Sequence, residues 1–599
     1  MAIKIAGTEV ISDDKRILNN EDLPDIRPSL LLDFANSKTL DPRITFTRGS
    51  TATYWDGKTT AKAEENLVQY SQNTTLSPWS GSGTTRTANT TTAPDGTTTA
   101  NTVEITTEGA YRNVAQSPSG FASTTYTASV YLKKSNWDYV RVNMQSRTSG
   151  NGYIDTISSR TINLSDGTKV DPDIGTPTTT DVGNGWYRVT VSGTSAGNAQ
   201  TIFVDASFAD STGNGAPATN IASGSEFFIW GFQLEQRSSA TAYTATTTSP
   251  IVKFQPVLQT AASGEARFDH DPVTGESKGL LIEEARTNLL PYSEAFDNGQ
   301  WNTVKTNITT NNLIAPDGLL TADTIVEDAI SGEHYIQENL TAATGTFTDS
   351  VFLKANGVRK VGIRPVHEGA DQGATQQANF DLTDGTIYST QSGVTSSIEY
   401  VGNGWYRCAI TYTVSGTLSG AYAFRIQLYQ PDESGILGTY TGDGYSGVFV
   451  WGAQREVGSF PTSYIPTSGS TVTRALDSAE ITDISFVNPT ELTVYFESEQ
   501  CADDQYRRYF AFGDNNGALT EYAIFSDPNS YIYSYIRIGG AVQANFSSGG
   551  LIAEGVAIRG AMSIVEGKVA MSINGASTST DTTVNLAGVN LARLRIGRG

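Results

Sequence analysis

The sequence predicts an all-β fold of tandem jelly-roll-like β-sandwich modules behind an extended N-terminal arm, and three observations carry that reading. Composition comes first: charged residues make up only 17% of the 599, hydrophobic residues 38%, and glycine occurs 58 times. Helical chains are richer in Glu, Lys, Leu and Ala, whereas β-branched and aromatic residues suit a pleated surface and Gly and Asn suit tight turns. Local patterning comes second. Ser129-Val-Tyr-Leu-Lys133 and Tyr139-Val-Arg-Val-Asn-Met144 alternate sides as half-buried strands do, and Asp166-Gly167 and Asp384-Gly385 are hairpin-turn dipeptides. The third observation is that the chain repeats itself.

Val182-Gly-Asn-Gly-Trp-Tyr-Arg188 recurs as Val401-Gly-Asn-Gly-Trp-Tyr-Arg407, and Ile229-Trp-Gly-Phe-Gln-Leu-Glu235 as Val450-Trp-Gly-Ala-Gln-Arg-Glu456. Smaller matches keep the same order: Asn66-Leu67 with Asn288-Leu289, Ala93-Pro-Asp-Gly96 with Ala315-Pro-Asp-Gly318, Ser129–Lys133 with Ser350–Lys354, and Asn163–Thr168 with Asp381–Thr386. Every pair is offset by about 220 residues, long for a solenoid and typical of tandem domains. The region is therefore a duplication, with sandwiches expected at 66–250 and 287–470.

The remaining segments follow in order. Residues 1–28 form a polar lead, Ile11-Ser-Asp-Asp-Lys-Arg-Ile-Leu-Asn-Asn20 within it, too poor in apolar residues to bury a core and so expected to be disordered or to dock on a partner. Residues 29–65 read as a β connector with first strands, Ser29-Leu-Leu-Leu-Asp-Phe34 and Arg43-Ile-Thr-Phe-Thr-Arg48. In each sandwich the Asn-Gly turn delivers a strand in which Trp186 and Arg188 share a face. The connector 251–286 ends in Gly279-Leu-Leu-Ile-Glu-Glu-Ala-Arg286, whose apolar cluster suggests packing against a module. In 471–599, Glu491–Glu497, Tyr506–Phe512 and Lys568–Ile573 look like strands of a third sandwich. Its last strand-like piece, Leu591–Ile596, comes so late that this domain is expected to be incomplete or completed by another chain.

Several function classes are disfavoured. Forty Lys and Arg against 62 Asp and Glu give a net charge of −22, and no basic run exceeds two residues, so a nucleic-acid partner is not expected. No apolar stretch approaches the roughly 20 residues needed to span a bilayer, and the start lacks a secretory signal. Cys408 and Cys501 lie far apart and have no metal-ligand spacing. The three histidines, His270, His334 and His367, sit in unrelated contexts. Gly193-Thr-Ser-Ala-Gly197 matches a nucleophile elbow formally, but Thr201-Ile-Phe-Val204 after it reads as a strand where the elbow needs a helix. No catalytic residue and no cofactor is expected. Asp269-His270-Asp271, with Glu235 or Glu456, could contribute to a structural Ca²⁺ site, though turn chemistry suits them better.

Certain motifs resemble a family of tailed-phage and prophage structural proteins, the head-spike and tail-fibre proteins with carbohydrate-binding-like modules. They are Leu32-Asp-Phe34 with Leu40-Asp-Pro-Arg-Ile-Thr-Phe-Thr-Arg48, Ala266-Arg-Phe-Asp-His-Asp-Pro-Val-Thr-Gly275, Gly279–Leu290 with Tyr292-Ser-Glu294, and Trp451–Gln454 leading to Pro461–Pro466. The start, Ile3-Lys-Ile-Ala-Gly-Thr-Glu-Val10, is similar to the virion-docking leads of phage fibres. The resemblance implies a virion location, docking on other virion proteins through the arm, homotrimers, a concanavalin-like last sandwich and contact with host surface polysaccharide. The chain departs from that pattern where the first repeat separates the Arg43–Arg48 motif from the Arg267 motif.

The repeated tryptophans Trp186, Trp230, Trp405 and Trp451 read as structural core, because they recur beside glycine in strand motifs. The non-repeated Trp137, Tyr139, Tyr335, Gln427 and Tyr429 are the glycan-binding candidates, since rings stack on sugars and amides bond their hydroxyls. Three functions compete: a host-glycan-binding fibre or spike, a structural virion decoration or spacer, and a polysaccharide-depolymerising tailspike. The first is expected.

Overall fold

In the first repeat, Ala128, Val130 and Leu132 from Thr125–Lys134 face Val140, Val142 and Met144 from Tyr139–Arg147 across one fully buried core. The computed structural model describes residues 3–5, 8–11, 28–109, 112–170, 173–211, 221–358, 360–369, 376–416, 418–430, 438–499, 506–514, 519–551, 556–576 and 578–598. Tyr139–Arg147 lies in a five-stranded antiparallel sheet, and Thr125–Lys134 in a six-stranded one packed on it. The second repeat builds the same pair with six strands in each sheet. A third sandwich packs seven strands on four. The fold is all-β, with Phe34–Ser37 the only helix among the described residues.

The repeated motifs have a common structural task. In both copies Trp-Gly-x-Gln forms a bulge that shifts strand register after the tryptophan. Gly231 and Gly452 both sit at φ +63°, where a Cβ would press on Tyr131 or Phe352; the bulge therefore needs glycine. The returning loop is bonded identically twice. Glu235 accepts from Thr241 N and Oγ1 (3.0 and 2.6 Å), and Glu456 from Thr462 N and Oγ1 (2.9 and 2.7 Å). Gln233 accepts from Thr244 N at 2.6 Å, and Gln454 from Ile465 N at 2.7 Å. Asn66 donates to Phe232 O and Thr244 O, as Asn288 does to Ala453 O and Ile465 O. Arg188 and Arg407 each reach a strand serine and a loop carbonyl.

A long ribbon, Ala52–Asn66 paired with Ile251–Ala261, brackets the first sandwich and leads to the second. Lys354 of the second sandwich and Lys253 of the ribbon both bind Glu64, at 2.5 and 2.8 Å. Of the region 29–65, Ile44–Thr47 pairs with Ser478–Ile481 at the edge of the third sandwich's larger sheet, while the rest from Ala52 belongs to the ribbon. Arg593–Arg598 runs between Ser478–Ile481 and Arg507–Gly513 as the third of the seven strands. At the N-terminus Ile3–Ile5 pairs with Thr8–Ile11; the rest of the expected arm up to residue 27 lies outside the described residues.

The second and third sandwiches and the connector between the repeats meet on a charge cluster. Asp477 binds Arg267 at 2.5 Å and Arg48 at 3.1 Å, while Glu283 binds Arg267 at 2.7 Å and Arg474 at 3.4 Å. Glu283 also accepts from Ser463 N and Oγ in the returning loop of the second sandwich, at 2.8 and 2.6 Å. Burial works to raise the Glu283 carboxyl, but the guanidinium groups of Arg474 and Arg267 overrule it and hold it down at about 2. Beside this cluster Glu284 joins Arg286 to Arg507, and both arginines lie over the Phe460 ring.

The two repeats fill their cores differently. Ala128 opposite Leu234 in the first becomes Asp349 opposite Arg455 in the second, at matched register and fully buried. Arg455 binds Asp349 at 3.5 Å and lies over the rings of Phe347, Tyr412 and Tyr422. Likewise Gln116 of the first repeat accepts from Gln69 N at 2.8 Å and donates to Gln69 O at 3.0 Å. Its counterpart Glu338 is buried with Oε2 unbonded, because Pro291 replaces Gln69 and offers no N–H.

Three outcomes are expected. Burial pushes the Glu338 carboxyl up to about 8, so its neutral form stabilises the fold below about pH 4.5 and that stability is lost as pH rises through about 8. Glu338→Gln is therefore expected to match the wild type near pH 4 and to exceed its melting temperature above pH 8. Arg455→Leu alone is expected to cost about 3–5 kcal/mol by stranding Asp349, and Arg455→Leu with Asp349→Ala to recover part of it, both read by denaturant unfolding; equal losses in the two variants would count against an ion pair. Asp477→Asn removes a counter-charge from Arg267 and Arg48, and limited proteolysis is expected to cut it faster in 251–286 than within either repeat.

Candidate functional site

Strand alternation determines which residues of the second sandwich's first sheet face away from its core. The sheet runs Trp301–Val304, His334–Asn339, Leu418–Tyr429, Lys360–Gly369, Ala378–Asp381, Thr386–Thr390. Ile336, Phe424, Ile426, Leu428, Val361, Ile363, Ala378 and Phe380 point inward. Tyr335, Gln337, Arg425, Gln427, Tyr429, Arg364, Gln377 and Asn379 therefore share the outward face. Outward here does not mean exposed: Gln427 is 0% exposed, Gln377 1%, Tyr429 2%, and Arg364 and Arg425 7% each. It is a sheet face of polar and tyrosine side chains that cover one another at its centre and reach solvent at Glu333.

Its geometry is specific. Arg425 lies over the Tyr335 ring at 3.7 Å and donates Nε and Nη2 to Gln337 Oε1 at 3.0 and 2.7 Å. Arg364 Nη1 reaches Gln427 Oε1 and Glu333 Oε1, both at 3.4 Å, and Gln427 Nε2 reaches Glu333 Oε1 at 3.4 Å. Glu333 also faces Arg425 Nη1 at 3.7 Å. Gln377 Nε2 donates to Asn379 Oδ1 at 2.5 Å and to the Tyr429 hydroxyl, whose ionisation burial pushes upward. Lys360, at the rim, sits over Tyr388 at 3.9 Å.

Three of the five glycan-binding candidates, Tyr335, Gln427 and Tyr429, thus converge on one face: Tyr335 and Gln427 are direct register partners, and Tyr429 follows two positions on. Trp137 and Tyr139 lie apart from them in the first sandwich. Trp137 packs against that core and donates Nε1 to Tyr139 O and Ala209 O, both at 3.0 Å, so its indole plugs the sheet end. Arg364, Arg425, Glu333, Gln377 and Asn379 were missed. The alternation Phe424-Arg-Ile-Gln-Leu-Tyr429 could have revealed Arg425 beside Gln427 and Tyr429. Nothing local marks Arg364 or Glu333.

The first sandwich presents the matched face with other chemistry. Register equates Val140 opposite Phe208 with Val361 opposite Leu428. Asn143 then stands for Arg364, Asp205 for Arg425, Ser207 for Gln427 and Asn113 for Tyr335. Asp205 is 4% exposed and accepts from Asn113 Nδ2 and Asn143 Nδ2, each at 3.1 Å. Burial pushes its carboxyl up to about 6.

The other candidates are committed elsewhere. Trp186, Trp230, Trp405 and Trp451 are 1–3% exposed: Trp230 packs against Tyr131 and Tyr243 and Trp451 against Phe352 and Tyr464, while Trp186 and Trp405 donate Nε1 to Thr92 O and Ile314 O. Asp269 accepts from Trp55 N at 2.8 Å, and Asp271 caps a turn through Val273 N and Thr274 N. Glu235 and Glu456 fasten their loops as described above. Among the described residues no cluster of His, Cys, Asp or Glu could hold a metal. Ser195 is buried, donates to Phe121 O at 2.7 Å and accepts from Thr124 N at 3.0 Å; the turn around it leads into the strand Thr201–Phe208, so it forms no elbow. His270 bonds the Phe268 carbonyl and His334 the Lys305 carbonyl. The His367 side chain and Cys501 lie outside the described residues, and Cys408 is a buried free thiol.

No protein-family model matches the sequence, and no curated protein matches it. Among solved structures the chain is similar to the N-terminal tandem CBM22-1–CBM22-2 domain of Paenibacillus barcinonensis Xyn10C, at 11% identity over 66% of this chain and 99% of that one, with a TM-score of 0.19. It is also similar to the LG1-3 region of the laminin alpha2 chain, at 11% identity over 82% of this chain and 92% of that one, with a TM-score of 0.15.

Proposed function

We propose that the protein binds cell-surface carbohydrate, without catalysis, through the polar outward face of its second sandwich, and that it serves as a spike or fibre component of a virus particle. The observation that carries the binding reading is the convergence of Tyr335, Arg364, Arg425, Gln427 and Tyr429 on one sheet face. Amides and guanidinium forks bond the hydroxyls of a sugar, and the Tyr335 ring holds the Arg425 fork in place for that. Two buried side chains there keep unbonded polar atoms, Arg364 Nε and Gln377 Oε1. A polar face built in this way suits a hydroxyl-rich ligand better than an apolar one.

The virion reading rests on the resemblance of the motifs in Leu40–Arg48, Ala266–Gly275 and Gly279–Leu290 to phage structural proteins. The N-terminal segment would dock on other virion proteins. A homotrimer would multiply a site of roughly millimolar affinity into useful avidity.

The full chain on an array of bacterial surface polysaccharides and their oligosaccharides is expected to bind at least one, and Tyr335→Ala to weaken that binding about tenfold. Recovered ligand is expected at its original length. No binding to any carbohydrate would overturn the reading in favour of a spacer, and shortened product would replace it with depolymerisation. Immunogold microscopy of particles tests the location.

A further inference from the structure

We infer that the polar outward face of the second sandwich selects a carboxylate-bearing sugar, such as a uronic acid residue, whereas the matched face of the first sandwich does not. This rests on the reading that the face holds carbohydrate.

Charge balance is the first ground. Among the described residues the face carries three cations, Lys360, Arg364 and Arg425, against Glu333 and Asp381. The two buried guanidinium groups share one carboxylate, and neither grips it closely: Glu333 stands 3.4 Å from Arg364 and 3.7 Å from Arg425, against about 2.7–2.9 Å for a tight charge-assisted bond. Glu333 is itself 31% exposed, so the pair of arginines opens to solvent on its side. Burial and the nearby Arg364 charge both press against protonated Arg425. A second carboxylate on this face would relieve that repulsion.

Donor geometry is the second ground. Arg364 keeps a buried Nε with no partner. A guanidinium fork matches a carboxylate with two parallel bonds, which neither a hydroxyl nor an ammonium can do. Arg425 is held in place by Tyr335 beneath it and Gln337 beside it, so little side-chain freedom would be lost on binding.

The third ground is the contrast between copies. Where the second sandwich places Arg425, the first places Asp205, each of whose oxygens already accepts from one amide. An anionic ligand meets an acid there, and the mismatch is repulsive. The duplication has thus put opposite charges at one matched position, and the first face sets its own arginines, Arg141 and Arg147, around Asp205 instead.

The test is isothermal titration of the full chain with a uronate-containing oligosaccharide and with its carboxyl-reduced counterpart, identical in linkage. The acidic form is expected to bind tighter by about tenfold or more, with the difference shrinking as salt rises. Arg364→Gln and Arg425→Gln are each expected to erase the difference with unchanged circular dichroism, and Asp205→Asn to leave it intact. Equal affinity for the two forms, or a preference that survives both arginine substitutions, would overturn the inference while leaving carbohydrate binding standing. Binding to neither form, nor to any neutral glycan, would overturn both.

Discussion

Four buried charged side chains and the largely covered Glu283 hold the second and third sandwiches in one arrangement. Arg48, Arg267 and Arg474 surround Asp477 and Glu283, and the five come from four chain segments spread between residues 48 and 477. Apolar side chains could press those segments together as strongly, but only charged forks and their counter-charges specify one geometry. Ser463 ties the returning loop of the second sandwich to the same cluster. That loop covers Trp451 and braces the bulge that follows it, so inter-domain geometry and sheet curvature rest on one set of ion pairs.

The cluster also gives a structural task to four residues of the motifs quoted from the sequence. Arg48, Arg267, Glu283 and Arg286 stand in those motifs, and all four lie at the junction. A motif of this kind records how domains are joined and says nothing of what they bind. Much of the scaffold was legible in the sequence because it is local: the Trp-Gly bulge, the Asn-Gly turns and the alternating strands are all written within a few neighbouring residues. The site was half legible. Tyr335, Gln427 and Tyr429 stood out as unrepeated, but Arg364 joins them only through pairing of strands about 60 residues apart. The pairing of Ile44–Thr47 with Ser478–Ile481 had no local signal either.

Duplication divided the labour between shared and divergent positions. The hydrogen bonds that fasten each returning loop are the same in both copies, whereas the core and the outward face have changed independently. Asp349 and Arg455 replace Ala128 and Leu234 inside, and Arg425 replaces Asp205 outside. The loop bonds meet backbone atoms whose positions the fold dictates, so a change at either end strands a buried polar group. On the outward face the bonds run between side chains, so both partners can change together. That face is the part of the duplicated unit that could change chemistry without changing shape.

The edge strand Ile44–Thr47 has a further consequence in time. It leaves the ribosome long before Ser478–Ile481, its only sheet neighbour, has been made. Both repeats can close from their own residues while the third sandwich waits for Arg593–Arg598 to join its larger sheet. Throughout synthesis the early strand is an unpaired edge, able to recruit a neighbouring chain. Its four residues, two of them threonines, make it a short and weak template. Brevity there protects the nascent chain until Ser478–Ile481 has been made.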